Sequence, residues 1–254
     1  MQFASLLPTR PAAFLGHVVI SAVFALRGRW QFRLKDLGRV MADCSARAVP
    51  IVTVVNVLVG AILAFVGAVQ LVKFGAGIYV ADLVGIAVAR EMAAIITAVV
   101  MAGRTGAAFA AELATMQAND EVDALEVLGL NAIDFLVLPR VFALLLMMPL
   151  LYVYGGVTGL VGGMVVAAGL LDISSAAYLD RTLVALDWSH LGLGFAKSFV
   201  FGALIGLVGC YTGLFAERNA AGVGVATTNA VVVSIVGIIV LDAIFAVCAN
   251  ALGV

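Results

Sequence analysis

Charged residues are scarce in this sequence, at 11% of its 254 positions, whereas hydrophobic residues make up 64%. A soluble globular domain carries about 25% charged and about 45–50% apolar residues, so this composition excludes an ordinary soluble protein. The net charge of −1 offers no basic surface for nucleic acid. No polar block is long enough to fold as a second domain. The sequence therefore predicts one integral membrane domain over residues 1–254.

Cysteine and histidine are also scarce. Cys44, Cys210 and Cys248 lie far apart and form no CxxC pair, and His17 and His190 are the only histidines. Metal centres and disulfide frameworks need clustered ligands. We therefore expect no metal site. We expect the cysteines to be buried thiols, with a metal ligand or a disulfide as the alternative.

Motifs for nucleotide binding and for hydrolysis are missing. The sequence has no G-x-x-x-x-G-K-[ST] loop, so we expect no P-loop ATP site and no cofactor on this chain. Neither GxSxG nor HExxH occurs, and the GxG of GLGFAK lies inside an apolar run. Ser189 and His190 are adjacent only in sequence, which does not place a base beside a nucleophile. An intramembrane enzyme is therefore the weakest of the function classes.

Long apolar runs are what the sequence has instead. About 20 mainly apolar residues suffice to span a bilayer. Five such runs predict an all-α membrane protein, with spans at 48–72, 83–103, 141–171, 188–216 and 219–254. The third run has no charge over 31 residues, so we expect this helix to tilt or to continue past the bilayer.

The segment before the first span, residues 1–47, contains the short apolar run PAAFLGHVVISAVFAL followed by the basic run RGRWQFRLKDLGR. A cleaved signal peptide would carry its positive charges before the apolar run, so that alternative fits poorly. We expect an interfacial helix whose flanking residues meet anionic lipid. These residues are Arg27, Arg29, Trp30, Arg33 and Lys35.

Basic residues in the short connections predict the orientation, because Lys and Arg are enriched on the cytoplasmic side. With a cytoplasmic N-terminus, only Lys73 and Arg181 fall on the far side. Ten fall on the cytoplasmic side: Arg10, Arg27, Arg29, Arg33, Lys35, Arg39, Arg47, Arg104, Arg140 and Arg218. The segment between spans two and three is then cytoplasmic, and the C-terminus is periplasmic.

That segment, MQANDEVDALEVLGL, holds four of the fifteen acids within seven positions. Asn119 is a suitable N-cap, and Gly129 is a natural helix stop. Apolar and acidic residues recur on separate sides, which predicts a short amphipathic helix. The helix either simply connects two spans or docks into a soluble partner. The residues concerned are Asn119, Asp120, Glu121, Val122, Asp123, Leu125, Glu126 and Leu128.

Four charges lie inside the predicted spans: Arg90, Glu91, Lys197 and Asp242. Each costs about 2.5–3.5 kcal/mol at a helix centre on insertion scales, so each should face protein or water and have a partner. Two cations and two anions can neutralise one another. They form either a structural ion-pair network or a group that takes part in gating or head-group handling.

Small residues recur at GxxxG spacing, at Gly155, Gly159 and Gly163, at Gly202 and Gly206, and at Gly209 and Gly213. Close helix packing within one chain or across a dimer explains them. Leu58, Ile62, Phe65 and Val69 of the first span share a helical face. They are candidates for lining a lipid cavity, although ordinary lipid-facing or core positions explain them equally well.

Residues Ala89 to Arg140 resemble the signature region of MlaE-type permeases, the membrane subunits of MCE-associated ABC lipid transporters. The elements that match are AGRTGAA, AELATM, DEVDALEVLGL and LVLPR. The resemblance implies that Asn119 to Leu128 is a coupling helix that contacts an ATPase, whose basic residues would meet its acids. It also implies that two copies of the chain form a lipid cavity at the centre of a dimer. The charged cluster would lie between helices beneath that cavity.

The resemblance implies a permease of the bacterial inner membrane that moves phospholipid to or from a periplasmic MCE-type carrier and helps maintain outer-membrane lipid asymmetry. Its partners would be a second copy of the chain, a cytoplasmic ABC ATPase that holds ATP and Mg, the carrier, and a separate STAS-domain protein. The alternative is an ion-coupled secondary transporter using Glu91 and Asp242.

The sequence departs from the family in two respects. Relatives usually have a Gly-Pro pair or similar after the Arg-Glu of the second span, whereas Ala93 and Ala94 stand here. We therefore expect a straighter helix at this point. The residues before the first span are also too few for the STAS domain that some relatives carry.

Overall fold

The computed structural model describes residues 11–27 and 34–253. All secondary structure in these ranges is helical: α1 (Pro11–Leu26), α2 (Leu34–Ala46), α3 (Val49–Phe74), α4 (Gly77–Ala118), α5 (Glu121–Val127), α6 (Ile133–Leu171), α7 (Ser175–Ala185), α8 (Trp188–Leu214) and α9 (Ala220–Leu252). The 5 helices α3, α4, α6, α8 and α9 are long and apolar enough to cross a membrane. The predicted all-α fold, with five spans after a short apolar helix, is confirmed. Arg10, Arg29, Trp30 and Arg33 lie outside the described residues.

Helices α4 and α6 run well past the predicted ends of their spans, to 42 and 39 residues. The predicted spans, 83–103 and 141–171, lie within these two helices. The helices extend further because charges and glycines end an apolar run, whereas main-chain hydrogen bonding continues through them. Wider π-helical turns at Ala102–Gly106 and Ile133–Val137 carry the two helices through these segments.

A third π-helical turn, Val88–Met92, contains Arg90 and Glu91 and directly precedes Ala93. Ala93 itself begins a regular α-helical stretch, Ala93–Met101, and the straighter helix expected at this point stays a prediction. The family's Gly-Pro pair is absent, but the helix is still irregular one residue earlier. Such turns are frequent at functional sites because the extra residue re-aims the side chains that follow.

Internal contacts divide the chain into two compact units. The first comprises the described residues up to Ala46, together with Met101–Met147 and Gly202–Gly237. The second comprises Arg47–Val100, Met148–Phe201 and the described residues from Ile238 onward. Each unit has a packed interior of its own.

In the second unit, α3 packs directly against α6 through glycines. A Cβ atom on Gly60 would collide with the carbonyl oxygen of Gly159, and one on Gly162 would collide with that of Val57. Gly155 faces Asn56, which is buried in α3 and donates to the Val52 carbonyl at 2.9 Å. Packing within one chain therefore accounts for the glycine repeat of α6.

In the first unit, α4 packs against α8 by the same means. A Cβ on Gly209 would lie 2.8 Å from the Gly106 carbonyl oxygen. Phe14 of α1 is buried, and its ring makes edge contacts with Tyr211 and Phe215 at centroid distances of 5.4 and 6.1 Å. The N-terminal apolar helix is thereby fixed to the end of α8.

Helix α2 was not predicted as a separate element. Leu37, Met41 and Cys44 of this helix are partly or fully buried, at a spacing that defines one helical side. That spacing was the signal available in the sequence. Burial raises the pKa of the Cys44 thiol to about 12, which keeps it protonated.

Candidate functional site

The four intramembrane charges meet in the second unit, although they come from three helices. The Lys197 ammonium of α8 donates to Glu91 Oε2 of α4 and, at 2.8 Å, to Asp242 Oδ1 of α9. Arg90 Nε lies 3.6 Å from Glu91 Oε1. The geometry brings the four predicted residues into one charged cluster of zero net charge.

Burial within the charged cluster is uneven. Lys197 is fully buried, whereas the side chains of Glu91 and Asp242 remain 25% and 20% exposed. A buried ammonium needs counter-charges because desolvation penalises its charged form. Lys197 has two of them. The carboxylates at the edge of the cluster can still be reached from outside the single chain.

His190 extends the charged cluster and was missed in the sequence. Arg90 Nη1 donates to His190 Nδ1 at 3.4 Å, which fixes Nδ1 as the acceptor, because a guanidinium only donates. His190 precedes Lys197 by seven residues on α8. That interval is about two helical turns and puts both side chains on one side. The spacing was therefore the signal that could have found it.

The acidic segment forms the predicted short helix, α5, but its first cap differs. Asp120, not Asn119, is the N-cap residue, with left-handed φ of 58°. Asn119 is instead the C-cap residue that follows α4, and it donates to Glu121 Oε1 at 3.1 Å. Asparagine is favoured at an N-cap, but here the main chain reverses one residue later.

The predicted stop at Gly129 is confirmed. Its φ of 78° is left-handed, and its N–H donates to the Glu126 carbonyl at 2.9 Å. The Leu130 N–H donates to the Leu125 carbonyl at 3.0 Å. This pair of hydrogen bonds closes the helix in the manner of a Schellman motif.

The apolar residues of α5 are not all covered. Val122 is buried and Leu125 is partly buried, whereas Leu128 is 73% exposed. Val127 is 88% exposed. Val122 and, in part, Leu125 therefore pack within the first unit, and the end of the helix presents bare hydrophobic surface.

Two of the acids already have a cationic partner within the chain. Arg218, in the connection between α8 and α9, holds Asp123 through two hydrogen bonds of 2.7 and 2.9 Å and donates to Asp120 at 2.8 Å. The hydrogen bonds to Asp123 raise the pKa of the Arg218 guanidinium above its ordinary value. The only hint in the sequence was that Arg218 falls on the same predicted side of the membrane as α5.

The four cavity candidates of α3 share one exposed face. Leu58, Ile62, Phe65 and Val69 are between 47% and 60% exposed in the single chain. They lie opposite the buried small residues that pack on α6. The face is open to whatever surrounds the protein, which is compatible with lipid, a cavity or a second copy.

The family model described as Permease MlaE matches residues 37–248. The chain belongs to the MlaE permease family. Over 193 residues, 76% of this chain and 74% of the relative, it is 37% identical to a probable ABC transporter permease protein of Rickettsia conorii. This MlaE-family permease is also 38% identical over 174 residues to a probable ABC transporter permease protein of Synechocystis, covering 67% of this chain and 65% of that one.

A plant relative also matches the MlaE-family permease. The Arabidopsis thaliana protein called trigalactosyldiacylglycerol 1, chloroplastic, is 37% identical over 173 residues, which are 68% of this chain and 49% of that protein. The family and the five span-length helices establish a multi-pass membrane protein that acts as the permease subunit of an ABC transporter. The roles assigned to individual residues stay predictions.

Proposed function

We propose that this permease moves phospholipid between the inner membrane and a periplasmic MCE-type carrier, working as a homodimer with two cytoplasmic ATPase subunits that hold ATP and Mg. A separate STAS-domain protein is a possible regulator. In this arrangement the N-terminus is cytoplasmic, the C-terminus is periplasmic, and transport serves outer-membrane lipid asymmetry. The observation that carries the lipid assignment is the open apolar face of α3.

The cargo assignment has two further supports. Leu58 to Val69 offer flexible aliphatic and aromatic side chains, which suit acyl chains without fixing one geometry. The name of the Arabidopsis relative is that of a glycerolipid. A phospholipid adds an anionic head group, for which the partly open charged cluster provides cations in Arg90 and Lys197 and acceptors in Glu91 and Asp242.

The coupling step follows from the position of α5 between two spans. An ATPase that closes on ATP would push α5, and the push would pass to α4 and α6, which α5 joins. The charged cluster lies on α4, α8 and α9, so a shift of α4 would change the geometry around Glu91. We propose that this rearrangement controls the passage of the head group.

Native mass spectrometry of the tagged chain, purified from its own membrane in mild detergent, tests the assembly. We expect a dimer that carries two copies of a P-loop ATPase and retained phospholipid. A chain without ATPase, which transports in vesicles with an ion gradient alone, would overturn the proposal in favour of ion-coupled transport through Glu91 and Asp242.

Photocrosslinking tests the cavity. A benzophenone amino acid is placed at Ile62 of α3 or at Ile239 of α9, whose side chains are 60% and 58% exposed. Both should label lipid, but ATP should change the labelling only at Ile62, because only cavity lipid moves in the transport cycle. The same response at both positions would mean that the α3 face meets bulk lipid.

A further inference from the structure

The first unit contains a groove of about 460 Å³ beside α5. The proposed coupling role assigns no function to this groove. Its lining includes Phe14 of α1, Val122 of α5, Ile133 of α6 and Leu214 of α8. Phe14 and Leu214 are buried and Val122 is 6% exposed, because other residues of the unit pack against them. These apolar side chains form the floor of the groove. The groove is open enough for a side chain to enter from outside.

The charges at the edge of the groove are not balanced. Asp123, Glu126 and Arg218 all line it. Arg218 donates two hydrogen bonds to Asp123 and one to Asp120. Glu126 makes no ion pair or side-chain hydrogen bond with any residue in the described part of the chain. One carboxylate therefore stands unpaired above an apolar floor.

These two features select the chemistry of an occupant. A carboxylate beside an apolar surface favours a side chain with an apolar stem and a cationic end, which lysine and arginine provide. The lining ring of Phe215 can add a cation–π contact. An acidic or purely aliphatic side chain would leave Glu126 partly desolvated without a partner, at a cost in free energy.

We propose that this groove receives a basic side chain of the cytoplasmic ATPase, with Glu126 as its counter-charge. The inference rests on the proposed function, which places the ATPase against α5. It differs from a general attraction between acids and bases, because Asp120 and Asp123 already share the Arg218 cation within the chain, whereas Glu126 has no ion pair among the described residues. Glu126 and the apolar floor then determine how the ATPase is held.

Two pairs of variants test the groove, with retention of the co-purifying P-loop ATPase as the readout. Glu126→Lys puts like charge at the groove, and Glu121→Lys changes an acid of the same helix that does not line it. Ala216→Trp fills the groove, and Ala220→Trp adds the same bulk outside it. Glu126→Gln, which is nearly isosteric, removes the charge without introducing a new one.

We expect Glu126→Lys and Ala216→Trp to lower ATPase retention at least tenfold, with a smaller loss for Glu121→Lys and for Ala220→Trp. Glu126→Gln should fall between wild type and Glu126→Lys, and its remaining binding should depend less on salt. All variants are compared at equal dimer yield from size-exclusion chromatography, so that failure to fold is not counted as loss of binding.

Other outcomes separate the groove from the general docking role. Equal loss in Glu121→Lys and Glu126→Lys, with Ala216→Trp binding normally, would assign docking to the acidity of α5 as a whole and overturn the groove. Loss of a bound phospholipid from Ala216→Trp, with ATPase retained, would identify a lipid site instead. Absence of any ATPase from the wild-type complex would overturn the proposed function and the groove together.

Discussion

The Lys197 ammonium of α8 lies 2.8 Å from the Asp242 carboxylate of α9, across 45 positions of sequence. Lys197 also donates to Glu91, 106 positions away. A fully buried cation between two carboxylates holds three helices in one register. It also makes the fold sensitive to the loss of any single charge.

Replacement of Lys197 by Met should reduce stability strongly, because it leaves two carboxylates around an uncharged side chain. Removing one partner of a buried pair typically costs about 3–5 kcal/mol. We expect a lower yield of folded dimer and a lower Tm in detergent, measured by fluorescence-detected size-exclusion chromatography after heating. Lys73→Met, at an exposed position, is the control and should behave as wild type.

The double variant Lys197→Met with Asp242→Asn restores the zero net charge of the charged cluster. We expect it to recover part of the lost Tm. If stability returns and lipid transport does not, the charged cluster acts in transport as well as in packing. A Lys197→Met protein with normal Tm and normal transport would contradict both roles.

Exchange of the charges of Asp123 and Arg218 tests the connection of α5 to the segment between α8 and α9. Asp123→Arg and Arg218→Asp should each lower the amount of lipid moved per ATP hydrolysed, because each sets like charges side by side. The exchanged double variant should recover part of this ratio. If the exchanged double variant instead loses as much lipid movement per ATP as the two single variants combined, the pair does not transmit motion.

Substitution of Gly60 by Ala should destabilise the protein, because the new methyl group meets the Gly159 carbonyl on α6. Overpacking of this kind costs typically about 1–3 kcal/mol. Gly169 lies on the same helix α6 with nothing within 4 Å of its position for a Cβ. Gly169→Ala should therefore leave Tm unchanged or raise it, because alanine favours helix more than glycine does. Equal Tm values for the two variants would contradict the close contact of α3 and α6.

The Cys44 thiol should resist N-ethylmaleimide at neutral pH. Burial raises its pKa to about 12, and only the thiolate reacts at a useful rate. Mass spectrometry should find Cys44 unlabelled in the folded protein and labelled after denaturation in SDS. A cysteine introduced at the exposed position Ala46, on the same helix, is the control that should react before unfolding. Rapid labelling of native Cys44 would mean that α2 detaches from the first unit.

The spans and the acidic helix could be predicted because their signals are local. An apolar run of bilayer length must satisfy its own backbone as a helix, whatever its neighbours are. Gly129 ends α5 because the required φ of 78° suits glycine wherever it occurs. The exact ends of α4 and α6 were less predictable, because composition does not show where wider helical turns carry the backbone through a charged segment.

The sequence by itself determined that this is a membrane protein of five spans and which few charges its spans contain. Only the tertiary structure decided which charges meet. Lys197 with Glu91 and Asp242, and Arg218 with Asp123, are joined across 45 to 106 positions. Such pairs form because particular helices approach closely, as at Gly60 and Gly159, and that approach depends on the shapes of both surfaces at once. No single stretch of the chain contains that information.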